Sequence, residues 1–258
     1  MIVKPMLNVR RIPFRSRNPV LTYKSYKYQP RAKASEAMTV AGVISKTTFA
    51  LILLSISAVT TWHVIQESPN YRYLISVGFI GGLSIAILTF WKRDIAKFTL
   101  PIYALLKGMA LGGMSFYFER RYPGIISTAI FLTFGGLGAL LMLYRSGAVK
   151  IKPETRSLIY VITGGIFIVY IFSWILRYID IYIPVIHDAT MPGILFSLFA
   201  LTIAALNLIL DFEYIERGIR YRNHRSVEWY SAFGLLITLV WFYIEIPRLF
   251  SKILRFKG

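Results

Sequence analysis

Seven long apolar stretches set the pattern of this chain, near residues 45–65, 73–91, 98–118, 124–144, 157–176, 191–213 and 229–247. Polar or basic residues bound each one. About 20 apolar residues in a helix cross a hydrocarbon layer of roughly 30 Å. Lipid offers no water to backbone N–H and C=O groups, so each span must satisfy them internally, as a helix does. The pattern predicts an all-α polytopic membrane protein with seven transmembrane helices. The connections are short, so sequential helices run antiparallel. Trp62, Tyr71, Tyr73, Trp91, Tyr117, Tyr122 and Tyr144 collect at segment ends, where an interfacial aromatic belt belongs.

The polar stretches divide the chain into a basic N-terminal tail (1–42), a transmembrane domain (43–250) and a basic C-terminal tail (251–258). The first acid is Glu36, whereas Arg10, Arg11, Arg15, Arg17, Lys24, Lys27, Arg31 and Lys33 precede it. No apolar segment follows closely enough to make a secretory signal. An Arg-rich, acid-poor start also fits a mitochondrial transit peptide, and that alternative stays open beside a cytosolic tail lying on anionic lipid. Orientation follows from the loops. With the tail inside, Lys92, Arg93, Lys97, Arg145, Lys150, Lys152, Arg156, Arg217, Arg220, Arg222 and Arg225 all fall inside. Arg72, Arg120, Arg121 and Arg177 fall outside. The positive-inside bias therefore places the N-terminus in the cytosol. Seven spans then put Arg248, Lys252, Arg255 and Lys257 outside, so the last segment is either a full span with a basic outer tail or a re-entrant one.

Composition agrees with the pattern. Of 258 residues, 56% are hydrophobic, and mean hydropathy is +0.57. Soluble domains average nearer 45–50% apolar. The net charge of +18 would suggest nucleic acid in a soluble protein. Here the basic residues sit in loops and meet anionic lipid, so no nucleic-acid partner is expected. The chain has no cysteine, which excludes disulfides, thiolate metal sites and cysteine nucleophiles. His63, His187 and His224 all lie away from the middle of the spans. The Gly108-x-x-x-Gly112 pair reads as a close helix contact.

The informative residues are the charges within or at the ends of spans, because a charge in hydrocarbon is costly and needs a partner. Asp211 closes a nearly uninterrupted apolar run. Arg93 ends the second span. Both spans run from outside to inside, so the two are expected at the same cytosolic depth, as an ion pair. Protonating Asp211 would cancel that attraction. The pair reads equally well as a switch or as a static tie. Lys107 falls mid-span, with Glu245 or Asp211 as its expected partner. Glu245, near the outer end of the seventh span, reads as an exposed interfacial acid, with Pro247 weakening the helix beyond it. Glu119 sits at the outer end of the third span.

No enzyme signature appears. A retinal-binding lysine is missing from the seventh span, since Lys252 lies beyond Pro247. There is no Gly-x-Ser-Gly with an intramembrane His, no phosphate-binding glycine loop and no His-Glu-x-x-His. No nucleophile–base pair is evident. A non-enzymatic role, without a cofactor, is expected.

Several segments carry a resemblance: SRNPVL at 16–21, MTVAGVISKT at 38–47, FERRYPGI at 118–125, LNLILDFEYIERG at 206–218 and EWYSAFGLLITLVWFYIEIPRLFSK at 228–252. In this order and context the chain resembles the Bax inhibitor-1 family (transmembrane Bax inhibitor motif proteins), in its bacterial YccA-like branch. The SRNPVL element favours a bacterial cell membrane. The resemblance implies six helices around a central seventh and a pH-sensitive calcium leak, with calcium as the transported ion. It implies that a sixth-helix Asp pairs with a seventh-helix Asp, and that an Arg ending the second helix latches to the former. Asp211 matches the first carboxylate and is the metal-binding candidate; Arg93 matches the arginine. The second carboxylate's position falls on Thr238, which cannot share a proton with Asp211 as an acid would. Glu245 lies seven residues on, about 10 Å in rise. Lys107 adds a fixed cation that would repel calcium. Two roles stand open: a cation leak gated by Asp211 and Arg93, and a non-conducting protein that binds other membrane proteins.

Overall fold

The computed structural model describes residues 33–67, 71–149, 151–178, 183 and 188–257. The SRNPVL element and most of the basic N-terminal tail lie outside them. Among the described residues seven α-helices follow in chain order: α1 (Val40–Glu67), α2 (Tyr71–Trp91), α3 (Ala96–Arg121), α4 (Ile125–Arg145), α5 (Pro153–Tyr178), α6 (Met191–Arg220) and α7 (Val227–Lys257). A 3₁₀ turn, Arg93–Ile95, joins α2 to α3. All seven are long and apolar enough to cross a membrane.

Local chemistry sets several helix ends. Thr39 caps α1 by accepting the Gly42 N–H at 2.9 Å. Glu119, at the end of α3, accepts the N–H groups of Gly124 (2.7 Å) and Ile126 (3.1 Å) and so caps α4. Gly124 there adopts φ +85°, a left-handed conformation that glycine reaches without strain. Thr190 caps α6, accepting from Gly193 N–H at 3.3 Å. At the other end of α6, Asn223 N–H donates to Gly218 O and Arg222 N–H to Ile219 O, both at 2.9 Å. That is a Schellman closure, with Arg222 at φ 53° where glycine is usual.

The seventh helix is the centre of the bundle. Its Ala232, Phe233, Leu236 and Val240 pack with Ala50 of α1 and Leu100, Tyr103, Ala104 and Leu111 of α3. Its Leu239, Phe242 and Ile246 pack with Ala129 of α4 and Ala204 and Leu208 of α6. Trp241 reaches the cluster of Ile166 on α5 with Ala200 and Ile203 on α6. The helix α2 packs mainly on α3. The Gly108 and Gly112 spacing serves a close α1–α3 contact: a Cβ at Gly108 would lie 2.7 Å from Ser57 Cβ, and one at Gly112 would lie 2.9 Å from Ala58 Cα. Ser57 Oγ also donates to Leu105 O at 2.7 Å across this contact. Outward residues such as Phe131, 77% exposed, face the surroundings of the bundle.

The helix α7 runs through Pro247 to Lys257, so residues 251–257 are helical. Lys252 is 2% exposed, because its ammonium donates to Gly193 O of α6 at 2.8 Å. Proline inside a spanning helix is tolerated where neighbouring helices cover the freed backbone, and Pro247 is buried among them.

Candidate functional site

The helices α6 and α7 lie side by side, and Asp211 faces α7. Its Oδ1 lies 3.9 Å from the position a Cβ on Gly234 would take. Thr238, one turn further along α7, lies within reach of the carboxyl, although its hydroxyl proton is committed to Gly234 O at 3.1 Å. Asp211 Oδ2 is buried with no hydrogen-bond partner among the described residues. A buried polar atom left unpaired costs about 1–3 kcal/mol; Glu245 Oε2 is in the same state, but Glu245 also pairs with Arg248.

Arg93 does not pair with Asp211. No ion pair joins them among the described residues; the Arg93 guanidinium lies over the Tyr230 ring, 5.1 Å from its centroid. Asp211 lies beside Gly234, one turn of α7 (about 6 Å) from Tyr230. Arg93 lies beyond the end of α2, level with the first turn of α7. Tyr230 fills the step between them and has both charges within electrostatic reach. Tyr214 of α6 packs against the same ring at 6.5 Å. The guanidinium rests on an aromatic face, with no ion pair to the carboxylate among the described residues.

The other two candidates depart from expectation. Lys107 is 8% exposed and has neither Glu245 nor Asp211 as partner. Its ammonium lies 4.5 Å from the Phe79 ring centroid and 5.8 Å from that of Tyr103. Tyr103 in turn packs on Phe233 of α7 at 5.0 Å, so two rings stand between Lys107 and the Asp211 side of α7. Glu245 is 0% exposed and not an interfacial acid. Its Oε1 accepts from Tyr170 Oη (2.9 Å), Trp241 Nε1 (3.0 Å) and Arg248 Nη1 (3.0 Å). Arg248 also lies 4.5 Å over the Tyr170 ring. This cluster lies two turns of α7 beyond Thr238.

The acids beyond Asp211 on α6 are structural. Glu213 pairs with Arg156 of α5 and Arg217, and Glu216 pairs with Arg220 and Tyr144. Among the described residues no three His, Asp or Glu side chains gather. Calcium takes six to eight oxygen ligands, and Asp211 with Thr238 supplies too few to hold a resident ion.

Sequence reasoning missed Tyr230, Tyr170, Arg248 and Glu228. A signal existed for Tyr230: positions 230, 234 and 238 share one face of α7 at a spacing of four. The model of one protein family, described as Bax inhibitor 1 like, matches residues 18–255. No curated protein and no solved structure matches the chain.

Proposed function

The chain belongs to the Bax inhibitor 1 like family, and we propose that it is a cation leak whose latch is the competition of Tyr230 and Asp211 for Arg93. The observation that carries this reading is the buried, unpaired Asp211 Oδ2 beside α7. Among the described residues, Asp211 is the one acid on the facing surfaces of α6 and α7 that no cation already holds. When Asp211 is ionised, Arg93 leaves Tyr230 and pairs with it, closing the path between α6 and α7. When Asp211 is neutral, the attraction vanishes and the guanidinium stays on the ring. Calcium is the ion the family resemblance suggests, in a cell membrane with the N-terminus cytosolic. The role involves no covalent step and no cofactor.

A second reading, a non-conducting partner of other membrane proteins, is favoured by two observations. Thr238 stands where a second acid would help bind a cation, and Lys107 is a buried cation without an acidic partner among the described residues. Flux of Ca²⁺ and K⁺ from liposomes across pH separates the two. Flux equal to protein-free vesicles at every pH, with a membrane protein co-purifying stoichiometrically, would establish the second reading and end the first.

A further inference from the structure

Met38–Thr47 and the start of α7 lie far apart in sequence and meet at the Arg93 end of the bundle. Glu228, in the first turn of α7, is 0% exposed. Its Oε1 accepts the Thr39 N–H at 2.9 Å and the Thr39 hydroxyl at 3.1 Å. Its Oε2 takes the Lys46 ammonium, with Arg225 Nε 3.8 Å away. Lys46 also lies 5.1 Å from the Trp229 ring. The Gly42 backbone presses so close that any Cβ there would overlap the carboxylate. Alongside, Met38 N–H donates to Asn223 O and Arg225 N–H to Glu36 O, both at 2.8 Å, pairing Ala37 with His224 in antiparallel fashion. Met38 packs over Gly218, where a Cβ would come 2.8 Å from its sulfur.

We propose that this clasp is a positioning device for the latch, with Glu228 as its positioning residue; the proposal rests on the leak reading above. An apolar contact would hold α1 to α7 as firmly, since a buried ion pair gains little net stability over packed hydrocarbon. What an ionised, fully hydrogen-bonded cluster adds is a single register. Glu228 stands two residues before Tyr230 in the same turn, so fixing Glu228 fixes the ring on which Arg93 rests. The clasp also holds the α6–α7 turn, which carries Arg222 in the left-handed region, a strained conformation for a residue with a Cβ. Release of the clasp frees that turn, moves the ring from under Arg93 and lets the guanidinium close on Asp211.

The chain has no cysteine, so a staple can be read without interference. Ala37 and His224 form a non-hydrogen-bonded antiparallel pair, for which Cα atoms lie about 4.5 Å apart, inside the disulfide range. Glu228→Gln should lower flux about fivefold or more, the scale of a modest coupling between sites. Adding Ala37→Cys and His224→Cys should restore flux when oxidised and lose it again on reduction, which a misfolded variant cannot do. Hydrogen exchange in Glu228→Gln should rise at residues 92–97, outside the clasp. Unchanged flux in Glu228→Gln, or a staple that restores nothing while exchange rises at residues 36–46 alone, overturns the proposal. If the wild type passes no ions, the leak reading fails, and exchange at 92–97 alone decides whether clasp and Arg93 are coupled.

Discussion

Replacing Tyr230 by alanine removes the ring on which Arg93 rests. The guanidinium lies 5.1 Å from the ring centroid, and a cation–π contact at a partly exposed site contributes about 0.5–1 kcal/mol. An Arg93–Asp211 pair at about 4 Å gains on the order of 4 kcal/mol at an effective dielectric of about 20, before the cost of drawing the guanidinium out of water. The two arrangements compete for one cation, so loss of the stack shifts the balance towards the pair by about two- to fivefold. Liposome flux in Tyr230→Ala should fall by that factor at a pH where Asp211 is ionised. Tyr230→Phe keeps the aromatic face and should stay near wild type. In an Arg93→Ala background the alanine at 230 should have no further effect, because no latch is left to close. A Tyr230→Ala flux equal to wild type, or a fall that persists without Arg93, refutes the competition.

Other substitutions test the frame around the latch. Glu245→Gln removes the buried charge that accepts from Tyr170, Trp241 and the partly exposed Arg248, and should cost about 1–3 kcal/mol by denaturant unfolding in detergent; Glu245→Leu with Arg248→Met should recover most of it. Gly112→Val forces a side chain against Ala58 of α1 and should cost about 1–3 kcal/mol, read as a lowered unfolding midpoint. Arg222→Gly relieves a left-handed residue and should stabilise by about 1 kcal/mol in the same assay.

The seven helices were legible because length and unbroken apolarity suffice for a span, and Gly108 with Gly112 were legible because their spacing puts both on one helix face. The candidate site was half legible. Asp211 and Arg93 stand out as costly charges, but the Tyr230 ring under the guanidinium depends on how the end of α2 packs on α7. Glu245 misled for a related reason: an acid near a span end reads alike whether it meets water or the Tyr170–Arg248 cluster. The clasp left no local trace. Thr39 and Glu228 are separated by 189 positions, and no periodicity along the chain encodes such a contact.

Calcium flux from liposomes across pH, wild type beside Asp211→Asn, tests the latch most directly. In the proposed latch ionised Asp211 draws Arg93 and closes the path, so wild-type flux should be high at acid pH and fall as pH rises. The asparagine side chain carries no charge at any pH, so the variant should stay at the wild type's acid level throughout. A variant that still loses flux as pH rises, in parallel with wild type, would contradict Asp211 as the closing charge.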